Sequence, residues 1–67
     1  LRLSELQHAC KQAPSRAVDV LPVLFKRHLD AQQLSFAMGE AVAHLNRLWH
    51  AGTVQRTLRD GQWYFHA

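Results

Sequence analysis

Five histidines, one cysteine, five Asp or Glu and eight Lys or Arg carry whatever chemistry this 67-residue chain has, and their spacing limits what that chemistry is. His44 and His50 stand six apart, and His8, His28 and His66 are scattered. No pair has the i, i+4 spacing that places two imidazoles on one helix face, so the histidines read as solvated or interface residues and no metal site is expected. Cys10 falls on the apolar side of a helical stretch, where a thiol behaves as a small buried hydrophobe, and as the sole cysteine it forms no internal disulfide. Neither a Gly-x-Ser-x-Gly elbow nor a glycine-rich phosphate loop is present. A chain this short also has little room for a substrate pocket of about 300–1,000 Å3. We therefore expect no catalytic, metal or cofactor-binding residue in this chain and no enzyme activity of its own.

The arginines offer a different chemistry. Arg47, Arg56 and Arg59 are candidate phosphate contacts, and Tyr64 is a candidate platform for stacking a base of a single strand. Against this stands the reading that these residues simply keep the end of the chain solvated. Lys26-Arg27-His28 form a further basic cluster, suited to the negative C-terminal end of a helix. The net charge of +3 and a pI near 9.8 permit nucleic-acid binding without requiring it. In a second set, Phe36 either packs against the second helical segment or is exposed, Trp49 has the same two readings, and Gly39 is a weak spot or a close-packing site; exposed, the three form a candidate surface for docking another domain, since large apolar patches rarely stay bare.

The elements that must position these residues follow from periodicity. Leu3, Leu6, Cys10 and Ala13 predict a first helix over about Ser4 to Gln12, with Ser4 and Gln7 as a capping box and Pro14 as its stop. Ser15 is the expected N-cap of a second helical segment, Arg16 to Lys26, loosened near Asp19 to Pro22 by the proline. Asp30 and Gln33 predict a capped third helix from Ala31 to about Ala51, ended by Gly52, with Leu29 and Leu34 as a hydrophobic staple. Its expected apolar stripe is Leu34, Met38, Ala41, Leu45 and Leu48, widened by Ala37, Val42 and Trp49. Beyond Gly52 the period becomes alternating, and Asp60-Gly61 predicts a two-residue hairpin turn that sets Leu58 opposite Trp63, Thr57 opposite Tyr64 and Arg56 opposite Phe65. Arg56 then shares a face with Val54, Leu58, Trp63 and Phe65, and either lies along Phe65 or marks a bulge. The expected core is Leu6, Leu21, Leu24, Leu34, Met38, Leu45, Leu48 and Trp63.

Three helices followed by a hairpin, joined by Leu45-x-x-Leu48-x-x-x-Gly52-x-Val54-x-Arg56, resemble the winged helix-turn-helix, an α+β fold that is mainly helical. A narrower resemblance is carried by Asp19-Val20-Leu21-Pro22-Val23-Leu24-Phe25 and by Ala37-Met38-Gly39-Glu40-Ala41-Val42-Ala43-His44-Leu45. These stretches resemble the C-terminal winged-helix domain appended to metallo-β-lactamase-fold hydrolases, the group related to glyoxalase II and the β-lactamase-like endoribonucleases. The resemblance implies a zinc-dependent hydrolase as parent, with this domain packed beside the catalytic domain of the same chain and bordering its substrate entrance. The metal ligands of that family lie in a His-x-His-x-Asp-His motif, which does not occur here, so zinc is implied for the parent alone.

Residues 1–67 thus read as one domain, with no initiator methionine, and we expect a C-terminal piece of a larger protein. The longest apolar run, Val20 to Phe25, is far below the roughly 20 residues of a membrane span, and with one cysteine the setting we expect is cytoplasmic. Two other function classes compete with the accessory domain. One is the DNA-binding domain of a transcription regulator, disfavoured because Ala31 to Asn46 contains neither Lys nor Arg and does contain Glu40. The other is a protein-interaction module on the same fold.

Overall fold

The computed structural model describes residues 2–67. Its elements are α1 (Arg2–Gln12), a 3-10 turn (Ala17–Val20) running into the single-turn α2 (Leu21–Leu24), the long α3 (Ala31–His50), and an antiparallel hairpin of β1 (Gln55–Arg59) and β2 (Gln62–His66). The fold is α+β and mainly helical, as expected.

Leu3, Leu6 and Cys10 hold α1 against the core, Leu6 and Cys10 being fully buried and Leu3 half-buried. That stripe begins before Ser4, so the helix is already under way at Arg2, and Ser4 and Gln7 lie within it rather than capping it. Burial pushes the Cys10 thiol pKa up, which keeps it protonated. Ser15 is not a helix cap either. Its backbone is paired with the last strand, donating N–H to the Phe65 carbonyl at 2.9 Å and accepting from the Phe65 N–H at 2.8 Å. The helical segment consequently starts one residue later, from an extended Arg16. The expected loosening at the proline takes a definite form: four residues of 3-10 helix, then α2 with Pro22 in its first turn, where no backbone N–H is needed.

The third helix has the ends its sequence promises. Asp30 Oδ1 accepts the Gln33 N–H at 2.8 Å and Gln33 Oε1 accepts the Asp30 N–H at 3.1 Å, a reciprocal capping box. At the other end Gly52 takes φ +78°, its N–H donates to the Trp49 carbonyl at 3.0 Å, and the Thr53 N–H donates to the Leu48 carbonyl at 3.0 Å. These two bonds make a Schellman motif, which requires the left-handed residue that glycine supplies.

The buried stripe of α3 differs from the expected one. It is Ala37, Ala41, Leu45 and Leu48; Met38 is only partly covered and Leu34 is 42% exposed. Where α3 lies against the 3-10 turn, α1 and α2, alanines allow close approach, and the larger Leu34 and Val42 are left at the flanks. Trp63 also leaves the expected core, at 43% exposure, because the hairpin projects past the helices: Val54 and Phe65 at its base are buried, while Leu58 and Trp63 toward its tip are not. The register is as predicted, with Arg56 opposite Phe65, Thr57 opposite Tyr64 and Leu58 opposite Trp63. The turn has positive φ at both Asp60 (+52°) and Gly61 (+77°), as a type I′ hairpin needs.

Two expectations follow for denaturation of the 67-residue chain. Leu45→Ala, at a site with no exposure, should lower stability by about 2–5 kcal/mol, whereas Leu34→Ala should change it by less than about 1 kcal/mol. The second concerns acid. The Arg16 side chain, 3.0 Å away, and then the Arg16 backbone N–H hold the Asp19 carboxyl below its ordinary 3.8. A depressed folded-state pKa contributes stability that is complete above the unfolded value and disappears as pH falls through the folded one. Asp19→Asn should therefore lessen the acid loss of melting temperature between about pH 5 and pH 2, by a small amount because the pair is exposed.

Candidate functional site

The residue with the most unusual surroundings is Arg56. Both backbone polar groups of Phe65 are directed at Ser15, so Phe65 and Arg56 form a narrow, non-hydrogen-bonded pair across the hairpin. The Arg56 side chain leaves β1 on the face that carries Trp63, and the last turns of α3 bring Trp49 to the same place. The guanidinium carbon lies 3.6 Å from the Trp49 ring centroid and 4.0 Å from that of Trp63. Two indoles so near one atom cannot lie on the same side of it, so the planar cation is held between them. Each such contact contributes about 0.5–2 kcal/mol, depending on desolvation. The pairing is continuous through Arg56, so no bulge is present, and the side chain stacks on tryptophans rather than along Phe65 alone.

Beside this stack a groove of about 430 Å3 separates the 3-10 turn, α3 and the hairpin. Val18, Met38, Val42 and Trp63 supply apolar walls, and Arg16, Asn46, Arg56 and Gln62 the polar groups. The amide oxygen of Asn46 is buried and has no hydrogen-bond partner among the described residues. A buried acceptor left unpaired costs about 1–3 kcal/mol, so its occurrence calls for an explanation. The Arg56 guanidinium likewise meets no acceptor among the described residues; its contacts are the two rings.

The residues singled out from the sequence do not converge. Phe36 is 71% exposed near the start of α3, over a shallow depression it shares with Phe25, Arg27 and Leu29. Gly39 is exposed, with open space where a Cβ would stand, so it is not a close-packing site within this chain. Trp49 lies thirteen residues beyond Phe36, roughly 20 Å along the helix, with its ring also 4.6 Å from that of His50. Arg47 is exposed in the last turn of α3. Arg59 and Tyr64 meet at 5.4 Å from guanidinium carbon to ring centroid, but on the hairpin face opposite Arg56. Arg16 reaches the Tyr64 ring at 5.9 Å while held by Asp19 and by Gln62 Oε1, 3.0 Å away.

Val18, Val42 and Asn46 were not anticipated as site residues. The signal was available: Met38, Val42, Asn46 and Trp49 repeat the four, four, three spacing of Ala37, Ala41, Leu45 and Leu48 one position later. One helix thus presents a buried seam and, about 100° around, a second seam that ends at Arg56.

Among the described residues no three His, Cys, Asp or Glu side chains are grouped so as to hold a metal ion. His44 uses its Nδ1–H on the Glu40 carbonyl at 2.7 Å, and His66 Nε2 is 2.9 Å from Thr57 Oγ1. These residues do not fit a zinc centre, and no catalytic step is assigned to them. Nor is any described helix long and apolar enough to cross a membrane.

Residues 3–67 match the family described as metallo-beta-lactamase-like, C-terminal domain. The chain belongs to that family. A solved relative is a beta-lactamase domain protein from Burkholderia ambifaria, 43% identical, which superposes with a TM-score of 0.91 over 97% of this chain. This C-terminal domain spans 20% of that solved chain. No curated protein matches it. The resemblance read from Asp19–Phe25 and Ala37–Leu45 therefore led to the right family, at the level of a C-terminal domain of metallo-β-lactamase-like proteins.

Gly39 in this C-terminal domain gives a direct check on the helix face it occupies. With nothing within 4 Å of a built Cβ, Gly39→Ala should raise the stability of the 67-residue chain by about 0.5–1 kcal/mol, read from urea denaturation.

Proposed function

We propose that this domain is a winged-helix accessory module that packs against the catalytic domain of a metallo-β-lactamase-fold hydrolase and borders its substrate entrance. The observation that carries the reading is the family match over residues 3–67, since the family is defined as the C-terminal domain of metallo-beta-lactamase-like proteins. The relative with the same fold supports it, because that chain is described as a beta-lactamase domain protein and this domain accounts for a fifth of it (20%). The order of elements, three helical segments followed by a hairpin, supports the winged-helix assignment, and the Ser15 bridge ties the stretch between α1 and the 3-10 turn to that hairpin.

On this reading the module supplies packing surface and the catalytic domain supplies the metal, with zinc as the expected ion, and the hydrolysis. Phe36, Gly39 and Trp49 remain proposed docking contacts, and a soluble cytoplasmic enzyme related to glyoxalase II or the β-lactamase-like endoribonucleases is the proposed parent. The DNA-binding reading is weaker, because the exposed part of α3 up to Asn46 offers no cation to a phosphate. Arg56, Arg59 and Tyr64 would have to grip RNA from two faces of one hairpin, with Arg47 on α3.

The experiment is removal of residues 1–67 from the intact parent enzyme, followed by steady-state assays with thioester, lactone and RNA substrates of graded size. The expected result is a change in KM that depends on substrate size. Unchanged kinetics for every substrate would remove the entrance role.

A further inference from the structure

We infer that the groove between the 3-10 turn, α3 and the hairpin receives a segment of the metallo-β-lactamase-like catalytic domain that presents a carboxylate to Arg56 among otherwise apolar side chains. The inference rests on the docking reading above and specifies its surface and its chemistry.

Two features define the occupant. With an indole on each face, the Arg56 guanidinium has only its in-plane N–H donors left to offer. A planar fork of that kind matches a carboxylate, which accepts two parallel hydrogen bonds. Packing has also fixed the orientation of the fork before any ligand arrives, so little side-chain freedom is lost on binding. The second is the wall of Val18, Met38, Val42 and Trp63, which favours apolar side chains.

Charge complementarity selects a carboxylate on protein over the phosphates of a nucleic acid. The other cation of the groove, Arg16, is closed on Asp19 at 3.0 Å, which leaves Arg56 as the lining cation without a carboxylate among the described residues. One free cation in an apolar trough suits one carboxylate. A nucleic-acid strand brings a phosphate at every nucleotide and needs a track of cations. The depression under Phe36 is lined by Asp30 as well as Arg27, so it already holds a carboxylate and makes no comparable demand for one.

Hydroxyl-radical footprinting of the intact parent protein, read by mass spectrometry at Trp63, Met38, Phe36 and Tyr64, tests this. Trp63 and Met38 should be protected, and Arg56→Met should raise their oxidation rates about thirtyfold, the lower end of the loss when one partner of a desolvated charge pair is removed. Tyr64, on the opposite hairpin face, should not change. If Arg56→Met unfolds the hairpin, seen as a parallel rise at Tyr64, Val42→Asp on α3 is the replacement probe. Its carboxylate occupies the groove from within, and it carries the same expectation.

Protection of Phe36 with Trp63 freely oxidised would overturn the groove assignment while leaving domain docking intact. Free oxidation at both would remove docking as well. Protection of Trp63 that is indifferent to both variants would overturn the carboxylate contact. Protection appearing only after addition of a single-stranded RNA oligonucleotide would replace the protein occupant with nucleic acid.

Discussion

Two backbone hydrogen bonds between Ser15 and Phe65 hold the domain in its shape. They join the stretch between α1 and the 3-10 turn to the last strand, fifty positions away in the chain. Without them the hairpin would be tied to the helices through its connection to α3, the packing of Val54 and Phe65, and side-chain contacts such as Arg16 with Gln62 and Arg56 with Trp49. Because Phe65 uses its N–H and carbonyl on Ser15, it faces Arg56 in the narrow kind of pair, and Arg56 is carried to the tryptophans. Because the chain leaves Ser15 extended, the 3-10 turn begins where Val18 can form the opposite wall of the groove. A small two-stranded sheet with one added bridge therefore fixes both sides of the site.

The long helix contributes through residue size. Alanines at 37 and 41 bring it close to its neighbours, and leucines at 45 and 48 fill the space where the elements diverge. One position around, Met38, Val42, Asn46 and Trp49 form a seam that the rest of the domain does not cover completely. In a domain of this size a single core seam is nearly all the burial available, since a chain of about 60 residues buries only about 60% of its unfolded surface. The second seam is then available for a partner, consistent with a module found within longer chains.

Local chemistry was read well from the sequence, and tertiary placement less so. The hairpin register follows from Asp60-Gly61, because two successive positive φ angles fit one turn type and the turn fixes every pair beyond it. The α3 cap is equally local, involving only Asp30 and Gln33. The core assignments of Leu34 and Trp63 failed because hydrophobicity favours large residues, whereas close helix contact favours small ones, and because alternation does not say how far a hairpin extends past its support. Ser15 looked like a helix cap, a role set by its neighbours in sequence. It is instead bridged to the last strand through Phe65, which no local pattern reveals. Placing Arg56 on the face of Trp63 was sound, but the arrival of Trp49 from the other side depends on how α3 crosses the hairpin.

The Ser15 bridge has a further consequence for how the domain meets other copies of itself. It covers the outer side of β2 at Phe65, whereas among the described residues the outer edge of β1 carries no such bridge. Along that edge the outward-directed backbone groups are those of Arg56 and Leu58, the residues in non-hydrogen-bonded pairs. Such a row is short, and it is flanked by the positive charges of Arg56 and Arg59. A second copy adding its own β1 there would bring arginine against arginine for very few hydrogen bonds, so this edge is a poor template for strand addition and for the aggregation that begins with it.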